Sequence, residues 1–250
     1  MTMITYESIP ILEKAGPVVS FYTTGLSRRF GCNEEADEAE YRELGETFQV
    51  DPSRMVRIPQ THTANVCVIT AHHAGEGIIR NAGTGYDGMI TDEAGLMILT
   101  VQADCVPVYL FDPVRKVIGM VHSGWKGCAG GIASNAVRQM KKAYGSDPLD
   151  VLAAFGPCIC RDCYEVGAEV REAFLETYRG KLPDKCFVPH GTGKYLLDLT
   201  ATIRSSLGDA GVRADHIFES PACTLETKDL CSYRRDHDRA RMLTGIMLTK

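Results

Sequence analysis

"MILTVQADCVPVYLFDPVRKVIGMVHSGWKG", residues 97–127, decides how this chain is read. Two apolar, β-branched runs, 96–102 and 106–112, bracket Ala103-Asp104-Cys105, and Asp112-Pro113 closes the second as a turn. "KVIGMVH" at 116–122 reads as the next strand, close enough to the second run for an antiparallel hairpin. Each half carries a group foreign to an apolar strand: an acid and a thiol at Asp104 and Cys105, and an imidazole at His122. Side chains alternate along a strand, so Asp104 and Cys105 point opposite ways unless a bulge at Ala103-Asp104 brings both into one site.

Outward from this stretch, 17–25, 64–71 and 151–156 read as strands and 34–48 as an acidic helix. "IASNAVRQMKKAYG" (132–145) sets Ile132, Ala136, Val137 and Met140 at helical spacing, with Gly145 to end it. Further helices are expected over 164–180, with Gly180 as the C-cap, and over 195–211. "HIFES" (216–220), "DLCSYRRD" (229–236) and "MLTGIML" (242–248) read as closing strands. Strands and helices alternate without a strict βαβ rhythm. That predicts one α/β domain over residues 1–250, with a mixed sheet flanked by helices.

A length of 250 residues supports one sizeable core. The net charge of −5 leaves no basic footprint for nucleic acid. No run reaches the ~18 apolar residues of a membrane helix. The N-terminus has no basic region before an apolar stretch, so a soluble, cytoplasmic protein is expected. Ten cysteines in such a chain point to buried thiols, metal ligands or reactive groups rather than a disulfide framework.

Taken singly, His62 in "IPQTH" is a strand-entry surface histidine, Cys105 a packed thiol, and His122 a strand-end histidine bonding a carbonyl. Together, two imidazoles and a thiolate make a three-ligand zinc site with an open fourth position. An unpartnered buried carboxylate is costly, so Asp104 needs a partner or a nearby cation. "HSGWKGCAGG" offers glycines between strand and helix, free amides for an anion, and Lys126. It matches neither the triphosphate nor the dinucleotide loop. "GPCICRDCYEVG" holds Cys158, Cys160 and Cys163; CxxC at 160–163 suggests zinc or redox chemistry, but no second CxxC exists, and these thiols read as mainly structural. The nucleobase-deaminase pattern of HxE with PCxxC is absent. Arginines in "CSYRRDHDRARM" suit phosphate or carboxylate, or form a solvated face.

The ordered set "QTH", "ADCVPV", "VHSGWKG", "GPCIC..CYEVG", "LDL" and "CSYRRD" resembles the YfiH or laccase-domain family, from about residue 17 to the end. The resemblance implies zinc held by His62, Cys105 and His122. It implies phosphorolysis of purine nucleosides (adenosine, inosine, guanosine, methylthioadenosine) and adenosine deamination, in a monomer or homodimer. Nucleoside and phosphate would be the partners, with Gln60, Arg57, Lys126 and Arg234 as substrate-binding candidates. Asp104 and Cys105 would be the catalytic candidates, Asp104 as a base or as an orienter of a ligating histidine. A single copper is open, but the sequence argues against the multicopper centre of the family's older name: seven histidines with no HxH pair cannot build one. Two departures stand out. Lys126 replaces the family's arginine, and "TTGLSRRFG" is a poor match to its N-terminal TRxGGxS segment. Two other readings use the same residues: a Cys105–His122 amidase acting on peptidoglycan precursors, and a closed metal-binding module with Cys128 or Cys67 as fourth ligand.

Overall fold

The hairpin predicted at the centre of the sequence forms, and the molecule is layered on it. In the computed structural model, which describes residues 4–25, 30, 38–178 and 185–249, β7 (Val106–Asp112) pairs antiparallel with β8 (Val117–Ser123), Pro107 standing opposite His122. Val106, Val108 and Leu110 enter one core, while Tyr109 and Phe111 enter another. Both faces of the hairpin are therefore buried, and its sequence reads as continuous apolar runs rather than alternation. Each fully buried side chain of this kind contributes roughly 1.5–3 kcal/mol.

A mixed six-stranded sheet surrounds it in the order β13 (Ile217–Glu219), β9 (Leu152–Phe155), β7, β8, β5 (Gly88–Thr91), β4 (Val66–Val68). A second mixed sheet runs β1 (Thr5–Ser8), β2 (Val18–Thr24), β14 (Met242–Leu248), β6 (Met97–Gln102), β3 (Met55–Val56). The two sheets enclose the core to which Val56, Ile98 and Ile246 come from one side and Met89, Phe111 and Met120 from the other. The outer face of the six-stranded sheet is covered by α4 (Ile132–Tyr144), α5 (Ala168–Thr177) and α6 (Leu199–Asp209). The outer face of the other packs on α2 (Glu38–Phe48) through Tyr41 and Leu44. Among the described residues the remaining α-helices are short: α1 (Pro10–Ala15), α3 (Trp125–Ala129) and α7 (Tyr233–Asp236). The fold is thus the expected single-domain α/β arrangement of mixed sheets flanked by helices. Among the described residues no helix is long and apolar enough to cross a membrane.

Several expectations need correction. Asp104 and Cys105 do not interrupt one buried strand: 96–102 and 106–112 belong to different sheets, and the bend at Ala103–Cys105 carries the chain from one to the other. The helix expected over 164–180 begins only at Ala168, and the one over 195–211 only at Leu199. Their first residues form β10 (Glu165–Gly167) and β12 (Lys194–Leu197), which pair with each other and with β11 (Phe187–Pro189) in a small antiparallel sheet. Cross-strand pairing overrides helical spacing there, and Asp198 starts α6 by accepting the Ala201 N–H at 2.9 Å. "DLCSYRRD" turns into α7 instead of a strand because the Ser232 hydroxyl caps it, accepting the Arg235 N–H at 3.2 Å. The strand at 64–71 shortens to Val66–Val68. Gly180, the start of the acidic helix at 34–37, and part of "TTGLSRRFG" lie outside the described residues.

A buried polar bond ties the two large sheets: the Tyr109 hydroxyl donates to Phe21 O at 2.6 Å. Tyr109→Phe is expected to lower stability by about 1 kcal/mol, seen as a lower urea midpoint at unchanged slope. An unchanged midpoint would show that the bond is no tie.

Candidate metal centre

By the two-residue alternation, Cys105 extends the Pro107–Tyr109 face of β7 and His122 extends the Ile118–Met120 face of β8. Both reach the end of the space between the sheets. Cys105 lies in the bend before β7, not within a strand as expected, and no bulge is needed. Asp104 takes a left-handed backbone, φ +78°, uncommon for a non-glycine residue, and this turns its side chain away from the one that follows.

His62 arrives from the loop before β4, also at positive φ, +60°. Asp87 holds that loop. Its fully buried carboxylate accepts the N–H groups of Thr61 (3.2 Å), His62 (3.0 Å) and Thr63 (2.6 Å) and the Thr63 hydroxyl (3.0 Å). The same carboxylate stands 2.8 Å from His122 Nδ1. A ring N–H donated there leaves Nε2 of His122 as the coordinating atom. The ligating atoms of His62, Cys105 and His122 come within 4.8 Å of one another, and the two imidazoles stand nearly perpendicular, at 79°.

Gly124 faces Cys105 across the hairpin's open end. A Cβ there would lie 2.9 Å from Cys105 Sγ and 3.1 Å from His62 Cδ2. Its φ of −75° is ordinary, so what excludes a side chain here is the close approach of Cys105 and His62.

Burial pushes the Cys105 thiol up, but the His122 charge and hydrogen bonds from His122 and His62 outweigh it and bring it down to about 6. Burial pushes His122 down, while Cys105 and Asp87 together raise it to about 9. For Asp87, burial opposes the hydrogen bonds of His122 and Thr63, which win and hold it at about 2. Without a metal the cluster is a thiolate–imidazolium pair backed by a carboxylate. The donor set of two imidazoles and one thiolate can hold a metal ion.

The remaining candidates are dispersed. Both ends of the Gln60 amide engage the Val101 backbone at 2.7 Å, fixing the loop to β6. Buried Arg57 donates to the Tyr41 hydroxyl at 2.7 Å. Exposed Lys126 lies 5.6 Å over the Trp125 ring at the start of α3, a helix of five residues that precedes the expected helix at Ile132. Asp104 accepts the Thr224 hydroxyl at 2.6 Å and the Arg234 N–H at 2.7 Å. The histidine-orienting role considered for it belongs to Asp87, which the sequence reading missed. The Arg234 guanidinium donates to Glu165 O and stacks 5.2 Å over Tyr164. Tyr164, also missed, lies within electrostatic reach of Cys105 and Asp104; burial and these charges push its hydroxyl up. No fourth ligand joins the three among the described residues. The Cys128 thiol is raised to about 12 by burial and sits 3.2 Å from Ser123 Oγ, and Cys67 is not in the group.

Residues 14–249 match the profile of the family described as multi-copper polyphenol oxidoreductase laccase. A purine nucleoside phosphorylase of Streptomyces coelicolor is 36% identical over 208 residues, covering 83% of this chain and 81% of that one. An adenosine deaminase of an unknown prokaryotic organism is 36% identical over 201 residues, covering 79% and 76%. The crystal structure of the Bacillus licheniformis hypothetical protein YfiH superposes with a TM-score of 0.90 at 30% identity, covering 98% of this chain and 97% of that one.

In metal-stripped protein, alkylation of Cys105 followed by peptide mass mapping is expected to rise with pH through a midpoint near 6, against 9.0 for an ordinary thiol. A midpoint near the ordinary value would remove the thiolate–imidazolium pair.

Proposed function

This chain belongs to the multi-copper polyphenol oxidoreductase laccase family, and we propose that it is a zinc-dependent purine nucleoside phosphorylase that also deaminates adenosine. The observation that carries the proposal is the His62–Cys105–His122 cluster, against which Gly124 packs closely. Relatives named purine nucleoside phosphorylase and adenosine deaminase match most of the chain.

The donor set suits zinc: two neutral imidazoles, one thiolate, and a fourth direction free of protein ligands among the described residues. Seven histidines without an HxH pair do not suit a multicopper oxidase. Bound zinc would supply Lewis acidity and an acidified water.

This chain's own residues then divide the work. Asp87 keeps a proton on His122 Nδ1 and holds the His62 loop. Asp104 positions Cys105: its carboxylate anchors the bend to Thr224 and Arg234, which favours holding over proton transfer. Arg234 stacked on Tyr164 offers a flat face and a charge for the nucleoside. Lys126, two residues beyond Gly124, offers a point charge for phosphate in place of a bidentate fork. Gln60 and Arg57 shape the walls, since Val101 and Tyr41 engage their polar ends. In phosphorolysis a phosphate oxygen bonds to C1′ as the C1′–N9 bond breaks, giving free purine and ribose 1-phosphate. In deamination water adds at C6 and ammonia leaves.

The depressed Cys105 thiol favours one other reading, a Cys105–His122 amidase in the metal-free protein. Bound zinc excludes it, because a ligating thiolate is not a free nucleophile.

The test is adenosine with and without phosphate, with products identified by mass spectrometry and His62→Ala as control. The expected result is adenine and ribose 1-phosphate only with phosphate, plus inosine, all lost in the variant. No product from metal-loaded protein would overturn the nucleoside assignment.

A further inference from the structure

The CxxC at 160–163 has no second CxxC in the sequence, but the fold supplies a counterpart. Cys160 precedes a tight turn, Arg161–Cys163, that presents both of its thiols to one side. Some sixty positions later, "CTLE" at 223–226 forms another turn, with Cys223 and Glu226 at the same spacing. One ligand atom from each of Cys160, Cys163, Cys223 and Glu226 lies within 4.8 Å of all the others. All three cysteines are free thiols.

We propose that Cys160, Cys163, Cys223 and Glu226 form a second metal site, a closed structural zinc site separate from the histidine-containing one. Three thiolates and a carboxylate at paired two-residue spacings are a four-ligand tetrahedral set. The backbone is arranged for sulfur at Cys223. The Cys160 N–H donates to Cys223 Sγ at 3.3 Å, and the Leu225 and Glu226 N–H groups also point to it. The Cys163 N–H closes the first turn on Cys160 O at 3.2 Å. The segments around Cys158 and Cys223 run side by side, with the Thr224 N–H on Cys158 O at 2.9 Å. Cys223 is buried, Cys160 and Cys163 are half-buried and Glu226 is exposed, so the carboxylate is the rim through which the ion enters.

The site would staple the two loops that hold Asp104. The Ile159 N–H, next to Cys160, donates to Asp104 O at 3.0 Å, and Thr224, next to Cys223, donates to its carboxylate. Arg235 fastens the second loop further, donating to Thr224 O and Thr227 O. The ion would therefore stiffen the bend carrying Cys105 without touching substrate.

The test is zinc stoichiometry in protein stripped and reloaded under reducing conditions. Wild type is expected to hold about two zinc ions per chain, and both Cys160→Ser/Cys163→Ser and His62→Ala about one each. Loss of the single ion of wild type in the cysteine variant alone would keep this site and reject the histidine one. A wild type that holds only one ion, kept by the cysteine variant and lost in His62→Ala, would overturn the proposal. Should the cysteine variant not fold, maleimide labelling of wild type decides. Zinc is expected to protect Cys160, Cys163 and Cys223 until chelator is added. Equal labelling with and without zinc, or a disulfide between Cys160 and Cys163 in the zinc-loaded reduced protein, would overturn it.

Discussion

Everything at the candidate centre depends on one buried carboxylate. Asp87 stands just before β5, next to the edge strand of the six-stranded sheet, and bonds two pieces of chain, the His62 loop and the end of β8. To one it offers an acceptor for three successive N–H groups, which holds His62 in a left-handed backbone. To the other it fixes the ring orientation and tautomer of His122. A buried charge of this kind is tolerable only when every partner is present. Its folded value of about 2 lies below the ordinary 3.8. Asp87 therefore contributes stability that is fully present above about pH 4 and lost as pH falls through 2.

The second constraint is the two-sided burial of the β7–β8 hairpin. Because both faces are filled, neither strand can slip by one residue without exchanging two cores. Register is thereby fixed, and with it the opposition of Pro107 to His122 and the approach of Gly124 to Cys105. The cost is local. Asp104 and His62 both sit at positive φ, each worth about 1–3 kcal/mol of strain. Dense hydrogen bonding around each offsets that strain, through Thr224 and Arg234 for one and Asp87 for the other.

Much of this could be read from the sequence. The hairpin announced itself because continuous apolar runs broken by Asp-Pro have few other solutions. His62 and His122 stand out as polar groups at strand ends and Cys105 as a thiol within an apolar run, and the ordered motifs give them a common purpose. Asp87 was hidden because "YDGMI" reads as an ordinary Asp-Gly turn before a strand, and its partners lie 25 and 35 positions away. The sheet membership of 97–102 is hidden for a related reason: the bend at Asp104 looks like a polar interruption of one apolar strand, not a passage between sheets. Arg235 and Arg234 are neighbours of one chemistry, yet the first clamps a loop through backbone carbonyls and the second stacks on Tyr164. Only tertiary contacts distinguish them.

The most direct measurement is the zinc affinity of the histidine-containing site in wild type and in Asp87→Asn, with a competing chelator. Asparagine keeps the shape but removes the charge and turns an amide N–H toward donors. Affinity about 10–100-fold weaker, with the fold retained, is the outcome expected if the carboxylate organises the centre. Unchanged affinity in a folded variant would mean that His62, Cys105 and His122 bind metal without Asp87, and would contradict its central place.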